Sequence, residues 1–227
     1  MTTLSRLGWR VYSRVRLALH PHAFFNQLYR LDWYQTMLGD WLTWLDPPTG
    51  SHVLELGCSS GGFSASLGQR GYRVTGMDRS TRAIQYAQQH HATAHSAYLV
   101  GDALQLPWQT PSFTVTLAAS LLNVVDAPQN LIKEMARVTT ADGIVSCLFP
   151  TPAMHTVTAE QFIQAHGLSG FSANALSLWA SAANKLEVTE ITSLFQATGL
   201  SNIHTATFLD GMVAGVRATV PAASSTR

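Results

Sequence analysis

VLELGCSSGG, residues 53–62, sets three apolar residues and a glutamate ahead of a turn made of Gly, Ser and one Cys. A loop of that composition gives up side-chain contacts, and glycines such as Gly57 and Gly61 let a ligand lie against the main chain. Residues 52–56 read as a short buried strand, and 63–70 as a helix that Gly71 ends. The turn therefore runs from a strand's carboxyl end into a helix start. Free N–H groups and partial positive charge there suit a phosphate or carboxylate.

Working outward, 72–77 reads as a second strand, and Ser80 is a good N-cap for a helix to about His91. Strands follow at 97–100, 113–119 and 143–149, with a helix at 128–138 that carries Pro near its first turn. This βαβαβ order predicts a mainly parallel sheet with helices on both faces. A helix at 188–198 leads, past Gly199, into strands at 203–208 and 212–218. Leu209-Asp210-Gly211 separates them, which is a hairpin signal and predicts an antiparallel close to the sheet. Residues 9–45 and 150–186 read as further helical segments, the first bearing Trp9, Phe24, Phe25, Trp33, Tyr34, Trp41 and Trp44. The tail PAASSTR is expected to fray.

The 227 residues are 46% apolar and 12% charged, enough for one well-filled domain. A net charge of +1 gives no general case for a nucleic-acid partner. Cys58 and Cys147 have no ligand-like spacing, so neither a disulfide framework nor a metal site is expected. No apolar run of about 18 residues exists that would insert stably in a membrane. Residues 1–31 hold Arg6, Arg10, Arg14, Arg16 and Arg30 and no acid. Arg6, Arg10 and Arg14 share one helical face; Leu7, Val11, Val15 and Leu19 share another. A surface helix with a solvated basic face is expected, with a peripheral membrane contact, an anionic-substrate rim or a transit peptide as alternatives.

Asp78 ends the second strand, 21 residues after Gly57, where a carboxylate can accept both hydroxyls of a ribose. Asp102 ends the third, where it can accept from an exocyclic amine. Three such positions on consecutive strand ends describe a nucleoside-like ligand lying across the sheet edge.

These residues carry a resemblance. From His52 to about Phe149 the chain resembles the class I S-adenosylmethionine-dependent methyltransferases, in the small-molecule group related to the ubiquinone and menaquinone enzymes. The glycine-rich motif falls on Glu55-Leu56-Gly57-Cys58-Ser59-Ser60-Gly61, and the ribose acid of GMDRS on Asp78. Asp102 of GDALQLPW lies at the adenine position; AASLLNVVD follows the fourth strand, and KEMARVTTADGIV matches the next helix and strand. The chain departs at Ser59, where the family usually has Gly, and at Thr114, where an acid is usual. The resemblance implies an α/β, Rossmann-like fold: a mostly parallel seven-stranded sheet with an antiparallel last strand, helices on both faces and helical lid segments. It implies one domain over 1–227, with an N-terminal helical lid at 1–46, a cofactor core at 50–149, a substrate or lid insertion at 150–186, and a helix and hairpin at 187–220.

It further implies a cytoplasmic enzyme that methylates a small, moderately hydrophobic molecule from S-adenosyl-L-methionine. The implied cofactor contacts are Glu55, Gly57, Cys58, Ser59, Gly61, Asp78, Arg79, Asp102, Ala103, Leu104, Ser120 and Leu121. Methyl transfer is an in-line displacement in which the protein chiefly positions the reactants. Should the acceptor need a base, His20, His22, His155, Tyr34 and Asn123 are candidates, each with an ordinary structural reading beside it. Tyr29, Trp33 and Tyr34 serve either as substrate contacts or as core. The competing readings are an NAD(P)-dependent oxidoreductase, since GCSSGG can be forced onto G-x-G-x-x-G, and a non-catalytic cofactor-binding protein.

Overall fold

The computed structural model describes residues 6–222, and of residues 6, 7 and 10 the backbone alone. The side chains of Arg6, Leu7 and Arg10, and the fraying expected over 223–227, lie outside the described residues. Helices α1 (Arg6–Leu19), α2 (Pro21–Leu28) and α3 (Asp32–Leu45) come first. Then follow β1 (His52–Leu56), α4 (Gly62–Gln69), β2 (Arg73–Asp78), α5 (Thr81–His90), β3 (Ser96–Val100), β4 (Phe113–Ala119), α6 (Pro128–Val138) and β5 (Thr139–Pro150). The chain ends in α7 (Thr156–Ala165), α8 (Gly170–Ala182), α9 (Val188–Ala197), β6 (Ser201–Phe208) and β7 (Val213–Thr219).

The seven strands form one sheet in the order β3-β2-β1-β4-β5-β7-β6. β7 runs antiparallel to both neighbours, and the other strands run parallel, as the sequence implies. Both faces are covered. In β1, Val53 packs into the core shared with α3, α4 and α8, while Leu54 and Leu56 pack into the core shared with α6 and α9. That is why the strand reads as a nearly unbroken apolar run.

One boundary differs from expectation. β5 begins at Thr139, directly after α6, and not at Gly143. Thr139 pairs with Phe113, the register then shifts, and pairing resumes at Val115 and Ile144. Asp142 at φ 59° takes up part of the extra length. At Gly143 a Cβ would come 2.8 Å from the Thr114 carbonyl oxygen, so the TADG stretch is a bulge built around glycine rather than a loop.

The helical segments before and after the sheet core pack on each other. The Trp33 indole N–H donates to Ser172 Oγ (3.0 Å), and Trp33 stacks on Trp179 at 6.3 Å. Phe24 meets Phe171 at 5.4 Å. α1, α2, α3, α7 and α8 thus share one apolar core. That cap is anchored to the sheet by the fully buried Trp41, which stacks on Phe63 and donates to Ser146 Oγ (3.1 Å). Arg217 adds a second anchor by donating to the last carbonyls of α3, Trp44 O (2.9 Å) and Leu45 O (2.8 Å).

Candidate functional site

The sheet reverses its winding between β1 and β4, the place where open α/β sheets bind ligands beyond their carboxyl ends. Four adjacent tips meet there: Asp102 after β3, Asp78 closing β2, the 57–61 turn after β1, and Ser120 after β4.

The turn is held by its own donors. Gly57 N–H (2.8 Å) and Cys58 N–H (3.1 Å) both donate to Met77 O, Ser59 N–H donates to Asp78 Oδ2 (2.9 Å), and Gly61 N–H donates to Cys58 O (2.9 Å). The side chain of Glu55 accepts hydrogen bonds from the Ser64 backbone N–H and hydroxyl in the first turn of α4. The protein's own acid therefore takes one backbone donor of this helix start, at Ser64. With those four donors of the turn engaged, the turn also offers carbonyl oxygens beside the buried Glu55 carboxyl group, which suit an ammonium group.

The glycines of the turn also answer to packing within the protein. Gly61 has φ 82°, and a Cβ there would come 2.7 Å from the Tyr98 ring and 2.8 Å from the Ala87 methyl. At Gly57 (φ 72°) the nearest atom to a Cβ would be Leu121 Cδ1, at 3.2 Å. Packing and backbone conformation favour glycine at both. Ser59 is held at φ 48°, the left-handed region that glycine occupies without cost. Ser59→Gly is therefore expected to raise Tm by about 2–4 °C, the scale of ~1 kcal/mol in a chain of this size. A lower Tm in scanning calorimetry would show instead that the serine hydroxyl holds the turn.

Asp78 clamps two loops, since its Oδ1 accepts from Ser80 N–H (2.8 Å) while Oδ2 holds Ser59. Each oxygen keeps a further lone pair. Asp102 is exposed and accepts from Leu104 N–H (2.9 Å), so part of its role is to shape the Ala103–Leu104 turn. Arg79 is exposed, Cys58 is buried, and burial pushes the Cys58 thiol well up, so neither cysteine reactivity nor a thiolate is available here.

At the β4 tip two buried polar atoms have no protein partner, Ser120 Oγ and Asn123 Oδ1. Ser120 sits at φ 53°, its N–H donating to Leu148 O (2.7 Å), and the Asn123 carbonyl accepts from Asn184 Nδ2 (3.1 Å). Leu121 lies between them, against Gly57. Orphaned buried groups are rare in folded proteins and call for a partner from outside the chain.

Glu55 is buried, and burial pushes its carboxyl up to about 7, the Asp78 charge adding to the shift and the Ser64 hydrogen bonds opposing it. Tyr29, whose ring would lie 2.5 Å from a Cβ at Gly62, is pushed up to about 12, chiefly by burial. Tyr34 packs among Tyr29, Trp33 and Trp179, and burial and then Glu55 hold its phenol well above the ordinary value. It is a proton-bearing donor at neutral pH rather than a base. His155 caps α7, accepting from Thr158 N–H (3.3 Å), with an exposed ring. His20 is exposed at the α1–α2 junction. His22 lies 6.3 Å from Tyr86, its imidazole held below the ordinary value by burial first, then by His20, Arg82 and Arg16. The structure brings Asn123 to the strand tips and leaves His20 and His155 on the surface. Ser64 and Asn184 were missed by the sequence reading: nothing local in either stretch marks them.

Two clefts open among the helices. One, about 670 Å³, lies between α3 and α4 and is lined by residues including Tyr29, Gly39, Gly62, Ser66 and Arg70. The other, about 660 Å³, opens among α1, α7 and α8, with Trp9, Ser13, Glu160 and Asn174 in its wall. Neither takes Asp78, Asp102, Ser120 or Asn123 into its lining.

Known proteins are similar to this chain in sequence over its core and in fold. The family model for the methyltransferase domain matches residues 54–147. A 2-phytyl-1,4-naphthoquinone methyltransferase of Thermosynechococcus vestitus is 35% identical over 130 residues, which cover 53% of this chain and 55% of that protein. A demethylmenaquinone methyltransferase of Staphylococcus epidermidis is 36% identical over 105 residues, covering 44% and 43%. The chain thus spans about half the length, or less, of the curated relatives it matches. The crystal structure of a SAM-dependent methyltransferase from Thermotoga maritima superposes with a TM-score of 0.63 at 17% identity, over 93% of this chain and 99% of that one. Residues 54–147, which hold the glycine-rich turn, both strand-end acids and the Ser120 tip, are thus the part of the chain that is similar to S-adenosylmethionine-dependent methyltransferases.

Proposed function

We propose that the protein transfers the methyl group of S-adenosyl-L-methionine to a small, moderately hydrophobic acceptor. The observation that carries this reading is the row of acceptors and orphaned polar atoms on four adjacent strand tips: Asp102, Asp78, the 57–61 turn, and Ser120 with Asn123. Asp78 would hold the ribose hydroxyls with its remaining lone pairs, and Asp102 the adenine amine. Glu55 and the carbonyls of the turn would face the ammonium of the methionine part. Ser120 and Asn123 would gain the partner they lack. The cofactor supplies a methyl carbon bound to a sulfonium leaving group. The chain's part is then to bind, orient and exclude water. The elevated phenols of Tyr29 and Tyr34 keep their protons and donate.

The relatives named for phytyl-naphthoquinone and demethylmenaquinone support an aromatic, lipophilic acceptor. So do the aromatic rings of Trp33, Tyr34 and Trp179 in the cap, which we assign as the acceptor-selecting lid. Both cysteines are free and buried, which agrees with a cytoplasmic location. The dinucleotide reading leaves the orphaned atoms at Ser120 and Asn123 without a task.

Calorimetric titration separates the two. S-adenosylmethionine is expected to bind and NAD is not; NAD binding without the sulfonium compound would overturn the proposal. Asp78→Ala is expected to weaken cofactor binding by roughly 1–3 kcal/mol, the scale of lost hydrogen bonds to a charged group. Unchanged affinity would remove Asp78 from the site.

A further inference from the structure

The first helix is turned against the usual rule. Its cap-facing side carries Tyr12, the buried Ser13 and the half-buried Arg16, the last two with side-chain atoms that find no partner. Its outward side carries Val11, Val15 and Leu19, at 56%, 48% and 64% exposure, and Ala18. These positions fall within about one third of the helical circumference, so they form a continuous apolar stripe. Phe25, 37% exposed on α2, follows closely in sequence. Half of the large apolar side chains exposed among the described residues therefore come from one stretch of 15 residues, the others being Leu99, Val100, Val124 and Val157.

The charge carried by α1 and α2 themselves has one sign. Arg14, His20 and Arg30 are exposed on or just beside these helices, and no acid precedes Asp32. Among the described residues the one ion pair joins Arg137 to Glu134, so none of these arginines is neutralised by a salt bridge. A solvated surface helix does not need valine and leucine outward, and a protein partner would not by itself demand that the same segment carry basic residues and no acid. An apolar stripe edged by unpaired arginine fits an anionic lipid surface, where side chains enter the acyl boundary and guanidinium groups meet headgroups.

We propose that the outward face of α1 docks peripherally on anionic lipid membranes. The helix has 14 residues, and no described helix is long and apolar enough to cross a bilayer, so it would lie in the interface plane. The same helix lends Trp9, Ser13 and Arg14 to the 660 Å³ cleft, so docking sets that cleft beside the lipid. The inference stands on α1 alone and does not require the methyltransferase reading.

The test is sedimentation of the full chain with vesicles of phosphatidylcholine containing phosphatidylglycerol, against phosphatidylcholine alone. Binding to the anionic vesicles is expected, with loss on raising the salt and a fall of at least about tenfold for V15E/L19E. Circular dichroism and S-adenosylmethionine binding report whether the variant still folds, and Arg14→Ala gives a milder second variant with an expected smaller loss. Equal binding by wild type and both variants, or no binding at all, would overturn the proposal. So would a dimer in analytical ultracentrifugation that V15E/L19E dissolves, because the stripe would then cover a second copy of this chain.

Discussion

Raising the pH from about 5 to about 8 is expected to lower the stability of the protein, and Glu55→Gln to abolish most of that loss. The folded state lifts this carboxyl from 4.5 to about 7. Between those values the native chain holds a proton that the unfolded chain releases. The stabilisation is therefore complete below about 4.5 and disappears as the pH rises through about 7. A shift of that size corresponds to at most about 3 kcal/mol, or on the order of 10 °C in Tm. His22 and His52, both held below their ordinary value chiefly by burial, act in the opposite sense and gain stability as the pH rises. They are common to both proteins, so the difference between the two melting curves isolates Glu55. Curves that stay parallel across this range would mean that the carboxyl is ionised in the folded protein throughout.

The second large effect is expected at Gly61. An alanine there must adopt φ 82° and must push against the Tyr98 ring and the Ala87 methyl. The ring cannot swing away freely, because its hydroxyl donates to Gly61 O (3.2 Å) and His91 O (2.9 Å). The left-handed conformation costs about 1–2 kcal/mol and the overlap about 1–3 more. Gly61→Ala is thus expected to lose on the order of 10 °C in Tm. Pairing it with Ala87→Gly should recover part of the loss, since one of the two collisions then disappears. A single mutant as stable as the parent would show that the turn relaxes, and that α5 and β3 do not clamp it.

Local pattern was enough for the sheet. Short apolar runs bounded by glycine and proline marked β1 to β5, and Asp210-Gly211 marked the hairpin, whose Leu209, Asp210 and Gly211 all take positive φ. The acids at the ends of β2 and β3 were found by position alone. The reading failed where a partner is distant in sequence. Glu55 stands in a strand buried on both faces, and period-2 alternation points it at α4 along with Val53, yet only the fold supplies Ser64 as its partner. At Gly61 the sequence shows a ligand cradle but not the second demand on it, the Tyr98 ring that β3 brings against it. The two helical segments gave no hint that Trp33 would meet Ser172 and Trp179, because helical periodicity marks an apolar face and not what covers it.

The place of β7 bears on how the chain is made. It lies between β5 and β6, although β6 precedes it in sequence. During synthesis β5 and β6 therefore emerge as neighbours in time that have no hydrogen bonds to exchange with each other. Until residues 213–219 arrive, β5 offers its whole flank as an open template for foreign strands. Nascent chains halted before that point are the species in which clumping and chaperone capture should concentrate.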